Sequence, residues 1–422
     1  MVLVLVDDIS ARIQYTFDFI FKMRGVEYTL VESIDTFNDF QGAKLNYSKQ
    51  MCSDGISFTP SGLLNETGIW NGNLDKVKIE SVDCLSFNGN KDLVASVFYV
   101  LTRMEEYNCY SYDDHDRFPF SHSILKKYEW VEQAVCDRWA SYIMVDLLKV
   151  EVVKSKVEII PTFDIDNTYA FKLKSGKRRA LSKLKDVVKL DAKRITKRKS
   201  VENGEKDPYD TFDKIIEVGK QFSGVKVFWL TASEGSKDRN VPIGNIQHRK
   251  LINRVAQSVE VNIHPSYGSF LNASQVMSER DGLESITGSS IVRSRQHFLR
   301  FQLPKSYRDL IDAGIRNDYS MGFAENVGFR SGTARAHNWF DLERNEVTEL
   351  TLHPFTYMDG TLLEYMSLTP EESKRRIQKL YAEIQNFGGD FIFLWHNETI
   401  GEYGKWKGWS QVLDFTLNLK NE

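Results

Sequence analysis

Residues 156–166 read KVEIIPTFDID, an apolar run that stops at two aspartates, Asp164 and Asp166. Four later segments share this design. Residues 259–264 (VEVNIH) and 391–396 (FIFLWH) end in His264 and His396, 327–330 (VGFR) ends in Arg330, and 350–354 (LTLHP) carries His353. Runs rich in Val, Ile, Phe and Leu with no polar face predict fully buried parallel strands. When such strands close into a barrel, the residues past their carboxyl ends meet in one pocket. Two carboxylates, several histidines and an arginine would converge there, the raw material of a metal-assisted hydrolase.

Outward from this stretch, strand and helix alternate to the end of the chain, the pattern of an α/β fold. Candidate strands are 157–163, 225–230, 259–264, 291–293, one near Asp318, 327–330, 350–355 and 391–396. Residues 369–387 open with TPEE, a Thr N-cap, a first-turn Pro and a Glu completing a capping box, and stop at Gly388-Gly389. About seven or eight strands with helices between them predict an irregular (β/α) barrel of TIM type. Residues 1–155 read as a smaller mixed α/β domain before the barrel of residues 156–422. Its expected elements are an opening strand (MVLVLV), helices at 15–23, 92–107 and 130–150, and a strand at 27–32. The intervening DDHDRFPF (113–120) reads as a turn whose carboxylates cap a helix or pair with Arg117, with a second metal or sugar site as the alternative.

The chain's 422 residues, 41% hydrophobic and 27% charged, are ordinary for a soluble globular protein, and a net charge of −3 gives no reason to expect nucleic acid. MVLVLV is too short for a signal or a membrane span and meets Asp7 and Asp8, so a cytoplasmic protein is expected. The four cysteines, with no CxxC pair, fit a reducing compartment. All lie in the first third of the chain, so a metal at the candidate site needs N and O ligands.

One stretch departs from the overall balance. A basic insertion at about 172–200 follows the first strand directly, with Lys177, Arg178, Arg179, Lys183, Lys185, Lys193, Arg194, Lys197, Arg198 and Lys199 against only Asp186 and Asp191. Leu181, Leu184, Val188 and Ile195 recur at helical spacing, which predicts an amphipathic basic helix. It would lie on an anionic membrane surface or meet a phosphate-bearing substrate, or its stripe would merely pack on the barrel. RNA fits less well, because aromatic residues for base stacking are sparse there.

Asp164 and Asp166, spaced i, i+2, can point to one face, where they would share a cation or split into different roles. His264, before Pro265 and a Gly/Ser turn, sits at a strand-to-loop junction where ligands gather, and His396 occupies the same kind of junction. Arg330 is too costly to bury unpaired, and Asp164 is its expected partner.

Residues 156–422 resemble the NodB-type polysaccharide deacetylases, the family 4 carbohydrate esterases, in a divergent branch with an extra N-terminal domain. TFDID (162–166) is similar to that family's TFDD, and EVNIH (260–264) to its strand ending in histidine. FRSGT (329–333) approximates its Arg–Pro turn, and Leu394-Trp395-His396 its Leu-x-His. RQHFLRF (295–301), DYSMGF (318–323), PFTYMDGTL (354–362) and, earlier, RMEEY (103–107) look typical of the branch. The resemblance implies Asp164 as the general base acting on the attacking water, Asp166 and His264 as metal ligands, and Arg330 as the residue holding Asp164 ionised. It further implies His396 as the general acid and the backbone N–H near Thr333 as an oxyanion donor, with Asp359 orienting His396. One divalent ion is implied, zinc being expected for a His/His/Asp site.

Two departures stand out. The family's second ligand histidine, four residues after the first, is here Gly268, and Ile165 stands where its ligand aspartate does. His297 is the candidate for the third ligand, with His353 as the alternative. The resulting expectation is a metal-dependent N-deacetylase acting on a sugar or a lipid-linked glycan precursor, peripheral at the inner membrane face. The alternatives are a silenced barrel that binds glycan through exposed Trp406 and Trp409, and a small-molecule amide hydrolase on the same barrel.

Overall fold

Glu158–Ile165 is a strand whose side chains alternate between two chemically different faces. Phe163 and Ile165 join the large apolar cluster on one side, with Trp229, Ile263, Phe393 and Trp395 of neighbouring strands. Ile160 faces the other way, toward Phe228, Tyr319, Phe355, Ile392 and Leu394. Side chains two apart share a face, so Asp164, and Asp166 just past the strand, continue the Ile160 side. The ladders carry that side across the sheet: His396 pairs with Asp164, and Asp164 with Phe228.

The structure is a computed structural model that describes residues 1–52, 54–153, 156–174, 176–188 and 190–419. Among the described residues one sheet has nine strands. Their order is His337–Asp341, Glu346–Leu352, Asn317–Asp318, Arg293–Ser294, Glu260–Ile263, Lys226–Trp229, Glu158–Ile165, Asp390–His396 and Tyr357–Met358. Every pair is parallel except the hairpin of the first two. The sheet curls around the Ile160 cluster, so the fold is barrel-like, but among the described residues no ladder joins its two edges. Helix Pro370–Phe387 covers the outer face and has the expected Thr369–Glu372 capping box.

Two readings of this region need correction. Residues 327–330 are not a strand but a turn docked on the N-terminal part of the chain. The Phe329 N–H donates to Val131 O at 2.7 Å. Gly328 has φ 124°, and a Cβ there would lie 2.1 Å from the same oxygen, so only glycine fits. The antiparallel strand His337–Asp341 was not anticipated, because polar His337, Asn338 and Asp341 leave no apolar run.

The N-terminal residues form a four-stranded parallel sheet, ordered Tyr28–Val31, Val2–Val6, Ala43–Tyr47, Ile56–Ser57, and a three-stranded antiparallel one. The helix expected over 92–107 ends at Leu101, because Arg103 turns left-handed (φ 54°) before Met104–Tyr107 resumes. That expected over 130–150 is the shorter Val135–Ser141, continued by a wider π turn. The expected boundary at residue 155 falls outside the described residues. Phe323, Phe340 and Leu342 belong to the N-terminal apolar cluster, and Tyr15 Oη donates to Asn338 O, so the sheet's edge hairpin is covered rather than open.

The basic insertion is two helices, Gly176–Val188 and Ala192–Glu202, rather than one. Leu190 breaks the run at φ 52°, and Asp191 caps the second helix by accepting the Arg194 N–H. Asp186 accepts from both Arg194 and Arg198, stapling the pair. At its root the Asp207 carboxylate takes the N–H groups of Ala170, Phe171 and Lys172 at 2.8–3.0 Å.

Three core histidines, His248, His337 and His353, make the fold sensitive to acid, and burial takes the last down to about 3. Burial pushes the imidazoles of His248 and His337 down to about 4 from the ordinary 6.5. Below pH 6.5 the unfolded chain therefore binds protons that the folded chain refuses. Their stabilising contribution is complete above that pH and is lost as pH falls toward the folded values. Each histidine is expected to contribute a loss of stability between about pH 6.5 and about pH 5, with a slope of up to ~1.4 kcal/mol per pH unit. A His248→Gln/His337→Asn double variant, which keeps each ring's key polar atom, should flatten this slope. Asp318 and Glu398, whose carboxyls burial raises to about 6 and about 7, act in the opposite sense over this range, so the refuting result is a double variant whose melting temperature follows the wild-type pH profile.

Candidate active site

The Ile160 face ends in ionisable groups delivered by different strand ends. Asp164 and Asp166 come from the first strand, His264 follows Glu260–Ile263, Arg295 and His297 follow Arg293–Ser294, and His396 closes Asp390–His396. Asp238 arrives from the loop after Lys226–Trp229.

The hydrogen bonds define the imidazole tautomers. His264 Nδ1 faces the backbone oxygen of Arg295, which can only accept, so Nδ1 carries the proton and Nε2 is left with its lone pair. His297 Nδ1 lies 3.0 Å from Asp238 Oδ1, which fixes it in the same sense. Both Nε2 atoms point at Asp166, at 3.2 Å (His264, to Oδ1) and 3.5 Å (His297, to Oδ2). Asp166 Oδ1 is buried and receives no hydrogen bond. One ligand atom from each of Asp166, His264 and His297 lies within 4.8 Å of the others. Two nitrogen lone pairs and a carboxylate oxygen aimed at a common point repel unless a cation sits between them, so these residues fit a divalent metal. A carboxylate behind the ligand histidine, as Asp238 stands behind His297, is the usual support.

The electrostatics agree. Burial alone would raise the Asp166 carboxyl, but the imidazoles of His297, His264 and His396 overrule it and hold the group well below the usual carboxylate range. Burial likewise opposes protonation of His297, yet Asp166 and Asp238 lift it to about 9. The carboxylates thus call for positive charge between them, which a proton or a metal ion supplies.

Asp164 stands beside this set, with Oδ2 3.7 Å from His264 Nε2. Its other oxygen accepts from Arg295 Nη1 at 2.9 Å. Arg295 is fully buried, also donates to Tyr319 O, and lies over the Phe228 ring. Opposite, His396 Nδ1 is 2.7 Å from Asp359 Oδ1, and its backbone N–H donates to Asp359 Oδ2 at 2.8 Å. His396 Nε2 faces Asp166 Oδ2 at 3.8 Å. Burial works against its charge, but Asp359, Asp166 and Asp164 raise it well above the ordinary histidine value. A cavity of about 190 Å³ opens on Asp164, Asp166, His264 and His396, with apolar walls from Leu299, Ala324 and Leu394. A larger cavity of about 760 Å³ lies between the basic helices and residues 239–242, but it contains none of these groups.

Several expectations are corrected. Arg330 does not touch Asp164. It grips Glu106 through Nε and Nη2 at 3.0 and 2.7 Å, a carboxylate that Arg103 shares at 2.7 Å. The guanidinium on Asp164 is that of Arg295. Thr333 is buried away from the cavity, its hydroxyl accepting the Arg335 N–H. His353 is stacked on Tyr319 with its Nε2 2.8 Å from Asn317, so it is not the third ligand. Trp406 and Trp409 are buried against each other, and only Trp406 reaches the cavity. Ile165 faces the outer core, which is why the ligand position moves to Asp166. Gly268 supports the set indirectly: its N–H and that of Tyr267 donate to Asp238. Asp113 accepts the N–H groups of His115 and Arg117 and the Arg117 Nε, so DDHDR is a turn as its plainer reading held.

Asp238 and the role of Arg295 were missed. Asp238 sits in a polar loop with no motif around it, whereas Arg295 lay two residues before His297 in a segment already singled out.

Residues 2–151 match the model of a family of unknown function, DUF7033. No curated protein matches the chain. Among solved structures the chain is similar to one assigned as a polysaccharide deacetylase from Mycobacterium smegmatis, at 13% identity and TM-score 0.41, covering 64% of this chain and 88% of that one. It is also similar to Puue allantoinase, at 10% identity and TM-score 0.37, covering 62% and 85% respectively.

Metal content tests the ligand set. Purified protein offered zinc and stripped of excess is expected to retain about one equivalent. His264→Ala and His297→Ala should lose it, His353→Ala should keep it, and Asp238→Asn should weaken binding ~10–100-fold. Retention by His297→Ala would remove that residue from the set. Arg330→Met, in contrast, should leave metal content intact and cost ~3 kcal/mol in denaturant unfolding, because it strips one of two cations from buried Glu106.

Proposed function

We propose that this protein is a divalent-metal-dependent hydrolase of the NodB type that removes an N-acyl group, such as acetyl, from a sugar or a lipid-linked glycan precursor. The observation that carries the reading is the opposition of Asp164 and His396 across the Asp166–His264–His297 set. A divalent cation held there, zinc being the best match to two imidazoles and a carboxylate, supplies Lewis acidity toward the acyl carbonyl and the attacking water.

The remaining steps belong to the chain's own residues. Arg295 occupies Asp164 Oδ1 and leaves Oδ2 to take a proton from the water. His396 carries the opposite charge state. With Nδ1–H held by Asp359, its protonated Nε2 faces the cavity and delivers a proton to the departing amine. Base and acid thus serve the two halves of amide cleavage, and Asp359 raises His396 well above the ordinary histidine value so that it can act as the acid. The apolar wall of Leu299, Ala324 and Leu394 suits a small acyl methyl group. A silenced barrel has less support, since a buried acid–base pair with dedicated partners stabilises no bound glycan.

Acetate release from N-acetylated sugars by zinc-loaded protein tests the proposal. Asp164→Asn and His396→Ala are each expected to lower kcat by ~10²-fold or more with metal content retained. Because His396 must be protonated and its folded pKa is raised, activity should persist through neutrality and fall as pH climbs past that value. Asp359→Asn removes the largest cause of the rise, so the alkaline limb should move to lower pH. Undiminished turnover in Asp164→Asn would overturn the mechanism.

A further inference from the structure

The two helices Gly176–Val188 and Ala192–Glu202 have no role in the site, and their surface has an unusual composition. Leu181, Leu184 and Val188 are 64%, 59% and 73% exposed, and Leu190 is 86% exposed. The first three recur at i, i+3 and i+7, so they form one stripe along the helix, of which Leu181 alone also borders the larger cavity. Four large apolar side chains exposed within ten residues are costly to leave in water.

The segment that carries this stripe is strongly basic. Residues 172–199 hold 13 Lys and Arg against two Asp in a chain of net charge −3, so the remainder carries −14. Part of this charge is internal. Arg179 and Lys183 share Glu202, Lys197 meets Glu205, and Asp186 staples Arg194 and Arg198. Counting Glu202 and Glu205, residues 172–205 still have a surplus of nine positive charges.

We propose that this helical pair docks the protein on the surface of an anionic phospholipid bilayer. An apolar stripe flanked by Lys and Arg matches both layers of such an interface, acyl chains below and acidic headgroups above. The element lies on the membrane and does not cross it: the first helix has 13 residues, about 20 Å, against a hydrocarbon core of about 30 Å. No helix among the described residues is long and apolar enough to cross a membrane. Single-stranded nucleic acid is a poorer occupant, because residues 172–202 contain no aromatic residue on which a base could stack. The pair is rooted by Ala170 and Phe171 on Asp207, four and five residues after Asp166, so docking holds the strand end that bears the site near the bilayer.

Flotation of the full chain with vesicles of phosphatidylcholine, alone or mixed with phosphatidylglycerol, tests this. Binding is expected only with phosphatidylglycerol and should weaken as salt rises. A Leu181→Glu/Leu184→Glu/Val188→Glu variant, altered only at exposed positions, should melt as the parent does yet bind these vesicles at least about tenfold more weakly. Asp164→Asn should float like the parent, which separates docking from the catalytic reading. Equal binding to both vesicle types, no flotation, or a triple variant that floats unchanged would each overturn the proposal. The same holds if protein that ignores vesicles is retained by single-stranded RNA.

Discussion

Two carboxylates at the end of a buried strand, two residues apart and on one face, cannot both stay ionised without positive charge brought to them. Asp164 and Asp166 are compensated differently, and the difference organises the site. Asp164 receives a fixed guanidinium, Arg295, that fills the concave side of the sheet against Phe228 and Phe355. Asp166 receives only imidazole lone pairs and a third histidine, a set that a metal ion completes. A fixed cation compensates one carboxylate within the chain, whereas convergent donors make the other fit a metal ion. Asp238 and Asp359 then repeat the device one shell out, each turning an imidazole so that the other nitrogen faces inward.

The N-terminal residues take part in this arrangement. The turn that delivers His297 carries Phe298 and Leu299 at φ 62° and 52°, left-handed positions that cost ~1–3 kcal/mol each for non-glycine residues. Such strain persists only where neighbours impose it. Arg117 Nη1 donates to Phe298 O, Asp116 pairs with Arg300, and His115 packs on the Phe298 ring. The Asp113–Arg117 turn therefore acts as a brace for a candidate metal ligand, and Arg117 also lines the cavity. Glu106, held between Arg103 and Arg330, ties the two halves of the chain together nearby.

The helical pair after the first strand follows another logic. Its carboxylates are spent on holding the two helices together, and while Val201 packs on Ala170 and Phe171, Leu181, Leu184, Val188 and Leu190 face outward. A segment that served only the fold would direct such residues toward the sheet.

Much of this was legible in the chain itself, because the governing rules are local. A strand has period two, so the side of Asp164 and Asp166 follows from their spacing. An apolar run that stops at a histidine marks a strand end, and Thr369 with Glu372 marks a helix start. His297 was reachable too, as a histidine just past a short strand. The partner of Asp164 was not. Arg330 ends an apolar run whereas Arg295 follows Arg293 and Ser294, and only the tertiary fold, which sets Asp164 beside Arg295 and Glu106 beside Arg330, identifies their partners. The same holds for Asp238, an aspartate in a polar loop until the fold brings it to His297, 59 residues away. Sequence alone determined that Asp164 and Asp166 share one face at a strand end, since that depends on backbone periodicity. Tertiary structure decided which charge meets which, since an ion pair depends on distances between segments that share no local rule.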